Sequence, residues 1–275
     1  MRKLLSANFP RLWRSKELWL CAAGMLIVSI ITILYTLNGE LRMETPHPID
    51  EYYFRWAPII GGFMAIFIAL FIGTEHLDGT LKNKIIVGNS RRNIFLAYFV
   101  VCFTASLIIS AAWLIGGIPA IYLMGPFEMS FSDFAINCLI IIGITAAYTA
   151  IFVWVSTVST NKSLTVAFVI ILLAVMVVAE VAVTEQLAYT EFWQELAEIN
   201  GETVIIDGDP NPYYVGGFKR IVLEWIRDLI PMGQAINMHN HNSLENPVRG
   251  IIASVVTTVI ANALGVLSFR KKDIK

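Results

Sequence analysis

Long, unbroken apolar runs separated by short charged segments dominate this chain. These runs are uncharged apart from Glu180, so they read as helices and not as loose chain. Roughly 20 apolar residues span a hydrocarbon core as a helix, and a helix satisfies its own backbone polar groups where no water is available. Six such spans are predicted, over residues 18–37, 57–74, 94–124, 134–157, 164–184 and 251–269. The third is long enough to require tilt or a break, for which Gly116, Gly117 and Pro119 are the candidates. The pattern predicts an all-α integral membrane protein with one transmembrane domain over residues 1–275.

Two segments outside the spans carry a helical period. Leu4, Leu5, Phe9, Leu12 and Trp13 recur among basic residues, interrupted by Pro10, which predicts an interfacial amphipathic helix over residues 1–16. A frayed basic tail is the alternative. The stretch 185–246 is too long for a structureless connection. Within it Phe218, Val222, Trp225 and Leu229 follow a helical period among charged neighbours, predicting an external or re-entrant amphipathic helix. A weaker helix is predicted around Leu187, Trp193, Leu196 and Ile199, with the Asp207–Pro212 segment "DGDPNP" as a turn between the two.

Composition agrees with the pattern: 56% of residues are hydrophobic and 15% charged, against about 25% charged in a typical soluble domain. The net charge of −1 hides a segregation. Arg2, Lys3, Arg11, Arg14 and Lys16 precede the first span, and Lys82, Lys84, Arg91 and Arg92 follow the second. Lys162 follows the fourth, and Arg270, Lys271, Lys272 and Lys275 follow the sixth. The opposite loops carry Glu40, Glu44, Asp50, Glu51 and Glu128, then Glu185, Glu191, Glu195, Glu198, Glu202, Asp207 and Asp209. Basic short loops stay inside, so a multi-pass protein with both termini cytoplasmic is expected. Nothing in the pattern supports nucleic-acid binding. Cys21, Cys102 and Cys138 lie inside apolar runs and imply no disulfide framework. No small-residue cleavage site follows the first apolar run, which reads as a retained span.

Candidate chemistry is sparse. Asp207, Asp209 and Asn211 open like a calcium loop, but the Gly and the closing Glu are replaced by Pro212 and Phe218, so a turn is the better reading. His239 and His241 lack a third metal ligand and read as loop residues. There is no Walker A sequence, H-E-x-x-H or G-x-S-x-G, so the chain is not expected to be an enzyme or to hydrolyse ATP. Glu180 is the one acidic residue within a predicted span and is read as an interfacial carboxylate. Gly61, Gly62, Gly116 and Gly117 either let helices approach at an interface between two chains or weaken their helices locally.

The loop 75–93 carries the most information. Glu75 closes the second span; Asp78, Gly79 and Thr80 form a turn and helix cap; Leu81, Ile85 and Ile86 make an apolar edge among Lys82 and Lys84. Gly88, Asn89 and Ser90 end the helix, and Arg91 and Arg92 begin the return. By residue chemistry this is either a surface helix shaped for a partner's groove or an ordinary basic loop. The sequence "DGTLKNKIIVGNSRRNIFLAY" resembles the permease subunit of ABC-2 type ABC transporters. It is similar in particular to small permeases of Gram-positive bacteria in bacitracin, lantibiotic and related peptide resistance or export. "DLIPMGQAI", Asp228–Ile236, resembles a segment those permeases carry before their last span.

The resemblance implies an ABC-2 permease fold in a bacterial plasma membrane, with two permease chains, identical or related, and two separate ABC ATP-binding subunits. ATP and Mg would be bound by those partners, with no cofactor in this chain. It further implies that Glu75, Asp78, Gly79, Thr80, Leu81, Lys82, Lys84, Ile85, Ile86, Arg91 and Arg92 couple to the ATPase. Glu75 would anchor the loop, pairing with a cation such as Arg91 or Arg92. The expected cargo is hydrophobic or amphipathic: an antimicrobial peptide, a drug or a lipid. The alternatives are a membrane-anchored ligand sensor or immunity protein, or an ATP-independent channel or carrier.

Overall fold

A computed structural model describes residues 1–43, 53–54, 57–123, 128–199, 202–241 and 243–272. Among them are ten helices and one β-hairpin: α1 (Arg2–Arg14), α2 (Lys16–Met43), α3 (Ala57–Leu77), α4 (Thr80–Ile86), α5 (Arg91–Leu123), α6 (Phe131–Val158), α7 (Lys162–Ala188), β1 (Phe192–Ile199), β2 (Glu202–Pro210), α8 (Gly217–Leu229), α9 (Pro231–His241) and α10 (Pro247–Lys271). Six helices, α2, α3, α5, α6, α7 and α10, are long and apolar enough to cross a membrane. The expected positions Glu44, Asp50, Glu51, Met124 and Lys275 lie outside the described residues.

Polar side chains set several boundaries. Ser130, Asn161 and Asn246 accept from the backbone N–H of Asp133, Leu164 and Arg249 at 3.1, 2.9 and 3.0 Å, capping α6, α7 and α10. The break expected near Gly116, Gly117 and Pro119 does not occur; α5 continues to Leu123 with Pro119 inside it. The glycines serve contact instead. A Cβ at Gly116 would meet the Ser29 side chain at 2.7 Å, and Ser29 Oγ donates to the Trp113 carbonyl at 3.0 Å, joining α2 to α5. Gly61 faces the fully buried Tyr148 ring in the same way. These close approaches lie between helices of this chain, and Gly62 meets open space.

α3 is the most buried span, packed against α2, α5, α6, α7 and α9. Between α5 and α6, Ser110 and Thr145 lie 3.2 Å apart, and Thr149 donates to Ser106 at 3.0 Å. Such hydroxyl pairs hold helices where no hydrophobic gradient drives them together.

Past α7 the structure corrects one expectation. Trp193, Leu196 and Ile199 belong to strand β1, which pairs antiparallel with β2 from Phe192↔Pro210 to Ile199↔Glu202, with an irregularity between Phe192 and Gln194. The β-branched run Thr203–Ile206 supplies the partner strand, whereas Leu187 closes α7. Asp207–Pro210 are strand residues, and the turn follows at Asn211, whose carbonyl accepts from Tyr214 N at 3.1 Å. It leads from the hairpin into α8, which forms as predicted.

α8 and α9 dip between the spans. Thr257 Oγ1 donates to the Leu229 carbonyl at 2.9 Å. Thr257 lies ten residues past Pro247, about 15 Å along α10. The C-terminal end of α8 is thereby fixed about three turns along α10.

Because Tyr148 cannot retreat within its packed site, Gly61→Ala is expected to destabilise the bundle by about 1–3 kcal/mol. Thermal unfolding in detergent checks this; an unchanged midpoint contradicts the close packing.

Candidate functional site

Glu75 occupies the last turn of α3 and is 2% exposed. A buried carboxylate must be paired and hydrogen-bonded, and this one draws donors from three directions. Lys84 Nζ, from α4, donates to Oε1 at 2.6 Å. Arg11, from α1, forms an ion pair with the same oxygen. Thr80 Oγ1 and the Tyr98 hydroxyl each donate to Oε2 at 2.7 Å.

The donors are themselves fixed. Lys84 Nζ also donates to Asn8 Oδ1 at 2.9 Å and to Tyr98 OH at 3.2 Å, so its three protons are all used. Arg11 donates to the Phe71 carbonyl at 2.5 Å and lies over the Phe71 ring, 4.2 Å from its centroid. Leu4, Asn8 and Leu12 form the buried stripe of α1, so the basic N-terminal segment is a docked helix and not a frayed tail. One carboxylate faces two cations here, and burial followed by the neighbouring Arg11 guanidinium pushes the Lys84 ammonium down to about 7.

The loop is built around this cluster. Gly79, at φ 64°, turns the chain in the left-handed region and caps α4; no side-chain cap from Asp78 forms, and Asp78 is exposed. Leu81 is buried and Ile85 packs against the core. Lys82 is exposed. Ile86 and Val87 are 80% and 81% exposed, and Leu77 is also exposed. The outward apolar edge is therefore Leu77, Ile86 and Val87, not Leu81 and Ile85. Gly88, at φ 90°, ends the helix, with its N–H on the Ile85 carbonyl at 2.9 Å.

Arg91 and Arg92 are not the partners of Glu75. Arg91 Nη1 donates to the carbonyls of Phe269, Arg270 and Lys272 at the end of α10, where the helix itself supplies no donors. Arg92 is exposed. Beside them Lys272 Nζ donates to the Thr157 and Ser159 carbonyls at 3.0 and 2.5 Å, and His76 Nε2 lies 2.9 Å from the Ser156 carbonyl. The ends of α3, α5, α6 and α10 are thereby tied together at one face of the bundle.

A second ionic cluster at the opposite end went unread in the sequence. Asp228, 2% exposed, accepts from Arg249 Nε at 2.5 Å and Arg227 Nε at 3.2 Å. Arg249 also donates to Glu224 at 2.5 Å, and Arg227 to Glu245 at 2.9 Å. Gln234 joins α9 to it, donating to the Asp228 carbonyl at 2.5 Å and accepting from Ser254 Oγ at 3.0 Å. Glu180 is buried in protein beside Gly233, with Thr184 Oγ1 donating to it at 2.5 Å. The adjacent Arg227–Asp228 and the cation Arg249 at the head of the sixth span were the available signals.

Glu75→Gln leaves two cations without their counter-charge and is expected to cost about 3–5 kcal/mol. Tyr98→Phe removes one donor and is expected to cost about 1–3 kcal/mol. Thermal unfolding in detergent ranks the two. The folded Lys84 releases its proton near 7, below its ordinary 10.5, so between those values the unfolded chain binds more protons. Stability from this site therefore rises with pH across that interval, and Lys84→Met should flatten the rise in a pH series of unfolding midpoints.

The model of ABC-2 family transporter proteins matches residues 4–194, which include the Glu75 cluster and five of the six spans. No curated protein matches the chain significantly. With most of its length matched, and with its apolar helices arranged as described, the chain belongs to the ABC-2 transporter family as a multi-pass membrane subunit.

Proposed function

We propose that this chain is the transmembrane permease of an ATP-driven exporter in a bacterial plasma membrane, with the basic end of its bundle in the cytoplasm. Two such chains, identical or related, work with two separate ABC ATP-binding subunits that hold ATP and Mg. The observation that carries this reading is the outward apolar edge Leu77, Ile86 and Val87, set on a loop fixed from behind by buried Glu75. An exposed apolar edge at the end of a membrane bundle is a surface for another protein. Movement of a bound ATPase would reach α3, α5 and α1 together, because all three meet at Glu75.

The cargo is hydrophobic or amphipathic and leaves the membrane or the cell at the acidic end. A cationic cargo is supported by the hairpin region, where Glu185, Glu191, Glu195, Glu198, Glu202, Asp207 and Asp209 precede Lys219 without an intervening cation.

The experiment is co-expression with an ABC ATP-binding subunit that co-purifies with this chain. Ile86→Asp combined with Val87→Asp is expected to lower permease-dependent ATPase stimulation or export at least about tenfold, as loss of an interface hot spot does. Membrane abundance should be unchanged, because both side chains already face outward. Unaltered stimulation and export would overturn the proposal.

A further inference from the structure

Glu180 stands eight residues before Ala188, about 12 Å inside that end of α7. It is 1% exposed. Thr184 Oγ1 donates to one of its oxygens, Oε1, at 2.5 Å. The other, Oε2, is buried and has no hydrogen-bond partner among the described residues. An ionised carboxylate accepts at about four lone-pair sites, and here a single one is filled. Glu75 and Asp228 are buried to the same degree, but each of them faces two cations.

The helices packed around Glu180 offer it no uncommitted cation among the described residues. α6 brings Tyr148 toward it, and α8 brings Arg227 and Asp228. Arg227 is committed to Asp228 and Glu245, and Arg249 of α10 to Asp228 and Glu224. The titratable residues of α9, His239 and His241, lie about two turns beyond Gly233. Those of α3, Glu75 and His76, lie in its last turn, within and beside the Glu75 cluster. On the remaining side the backbone of α9 closes the site: a Cβ at Gly233 would stand 2.9 Å from Oε2.

We infer that Glu180 is a proton-binding site: Oε2 carries a bound proton, and the side chain closes the seam between α7 and α9 as an uncharged acid. A proton is the ligand that this geometry admits. It needs one oxygen and no added volume, whereas a calcium or magnesium ion needs several oxygen ligands, and an ammonium group needs the space that α9 closes at Gly233. Neutrality also suits the position within a span, since an unpaired buried carboxylate is far costlier than a buried hydroxyl without a partner. Loss of the proton leaves a lone charge between the two helices, and α9 must then part from α7 to admit water. The same turn of α9 is held from α6 by Tyr148, whose hydroxyl donates to Met232 Sδ at 3.5 Å. This site is independent of the ATPase-facing edge and of the cargo.

The test uses the full chain in vesicles of phosphatidylcholine and phosphatidylglycerol. At neutral pH its infrared spectrum should contain the carbonyl stretch of a protonated carboxylic acid, lowered in frequency by deuteration, and Glu180→Gln should remove that band. Spectra that agree in this region would overturn the inference. Unfolding in detergent reads the same proton independently. At neutral pH the native site holds the proton and the unfolded carboxyl has lost it, so the stability contributed here falls as pH rises, by about tenfold in the folding constant per pH unit. Glu180→Gln cannot ionise and should lack that fall, becoming the more stable chain toward alkaline pH. Parallel pH series for the two chains would contradict the assignment. Should the Gln variant fail to fold, Glu180→Leu, also uncharged, replaces it in both measurements. Failure of both uncharged variants would show that the charge itself is required, and would overturn the inference equally.

Discussion

A carboxylate taken out of water is tolerated only where its charge is matched and its lone pairs are filled, and at Glu75 this requirement organises one end of the molecule. The side chain lies at the close of α3, yet its donors come from α1, from Thr80 and Lys84 of α4, and from α5. None of these segments can move far alone without leaving a charge unpaired. The N-terminal helix is held down by Arg11 and by Asn8 acting through Lys84, and α4 keeps one fixed roll about its axis because Lys84 and Leu81 point inward. That roll turns Ile86 and Val87 outward. The exposed apolar edge is thus a consequence of the buried ion cluster behind it.

The opposite end obeys the same constraint with different residues. Asp228 is filled by Arg227 and Arg249, and Arg249 reaches Glu224 in turn, so α8 is fixed to the head of α10 by charge. With its polar side committed to the bundle, α8 has only its apolar side to offer outward. Between the two ends the spans are joined by close contacts such as Gly61 on Tyr148 and Gly116 on Ser29, and by hydroxyl pairs between α5 and α6.

The spans were legible because an apolar run of sufficient length has one stable solution in a bilayer. The α8 helix was legible too, since its two faces differ so strongly. The hairpin was missed: Trp193, Leu196 and Ile199 fit a helical spacing, while the Asn200–Gly201 dipeptide before the β-branched run Thr203–Ile206 carried the hairpin signal. Glu75 was legible as an anchor, but not its partners. Arg11 lies 64 positions away in sequence, and nearness along the chain favoured Arg91, which is claimed by the end of α10. Likewise Ile85 and Ile86 look equivalent in sequence, and only the roll imposed by Lys84 decides which of them faces out.

On the proposed function, Glu75 acts on a partner ATPase through the orientation of the α4 edge. A double-variant cycle on permease-dependent ATPase stimulation, normalised to membrane abundance, tests this most directly, using Glu75→Gln, Ile86→Asp and the two combined. If the anchor works through the edge, the combined variant loses no more stimulation than the worse single variant. Losses that multiply would show two independent routes and contradict the account.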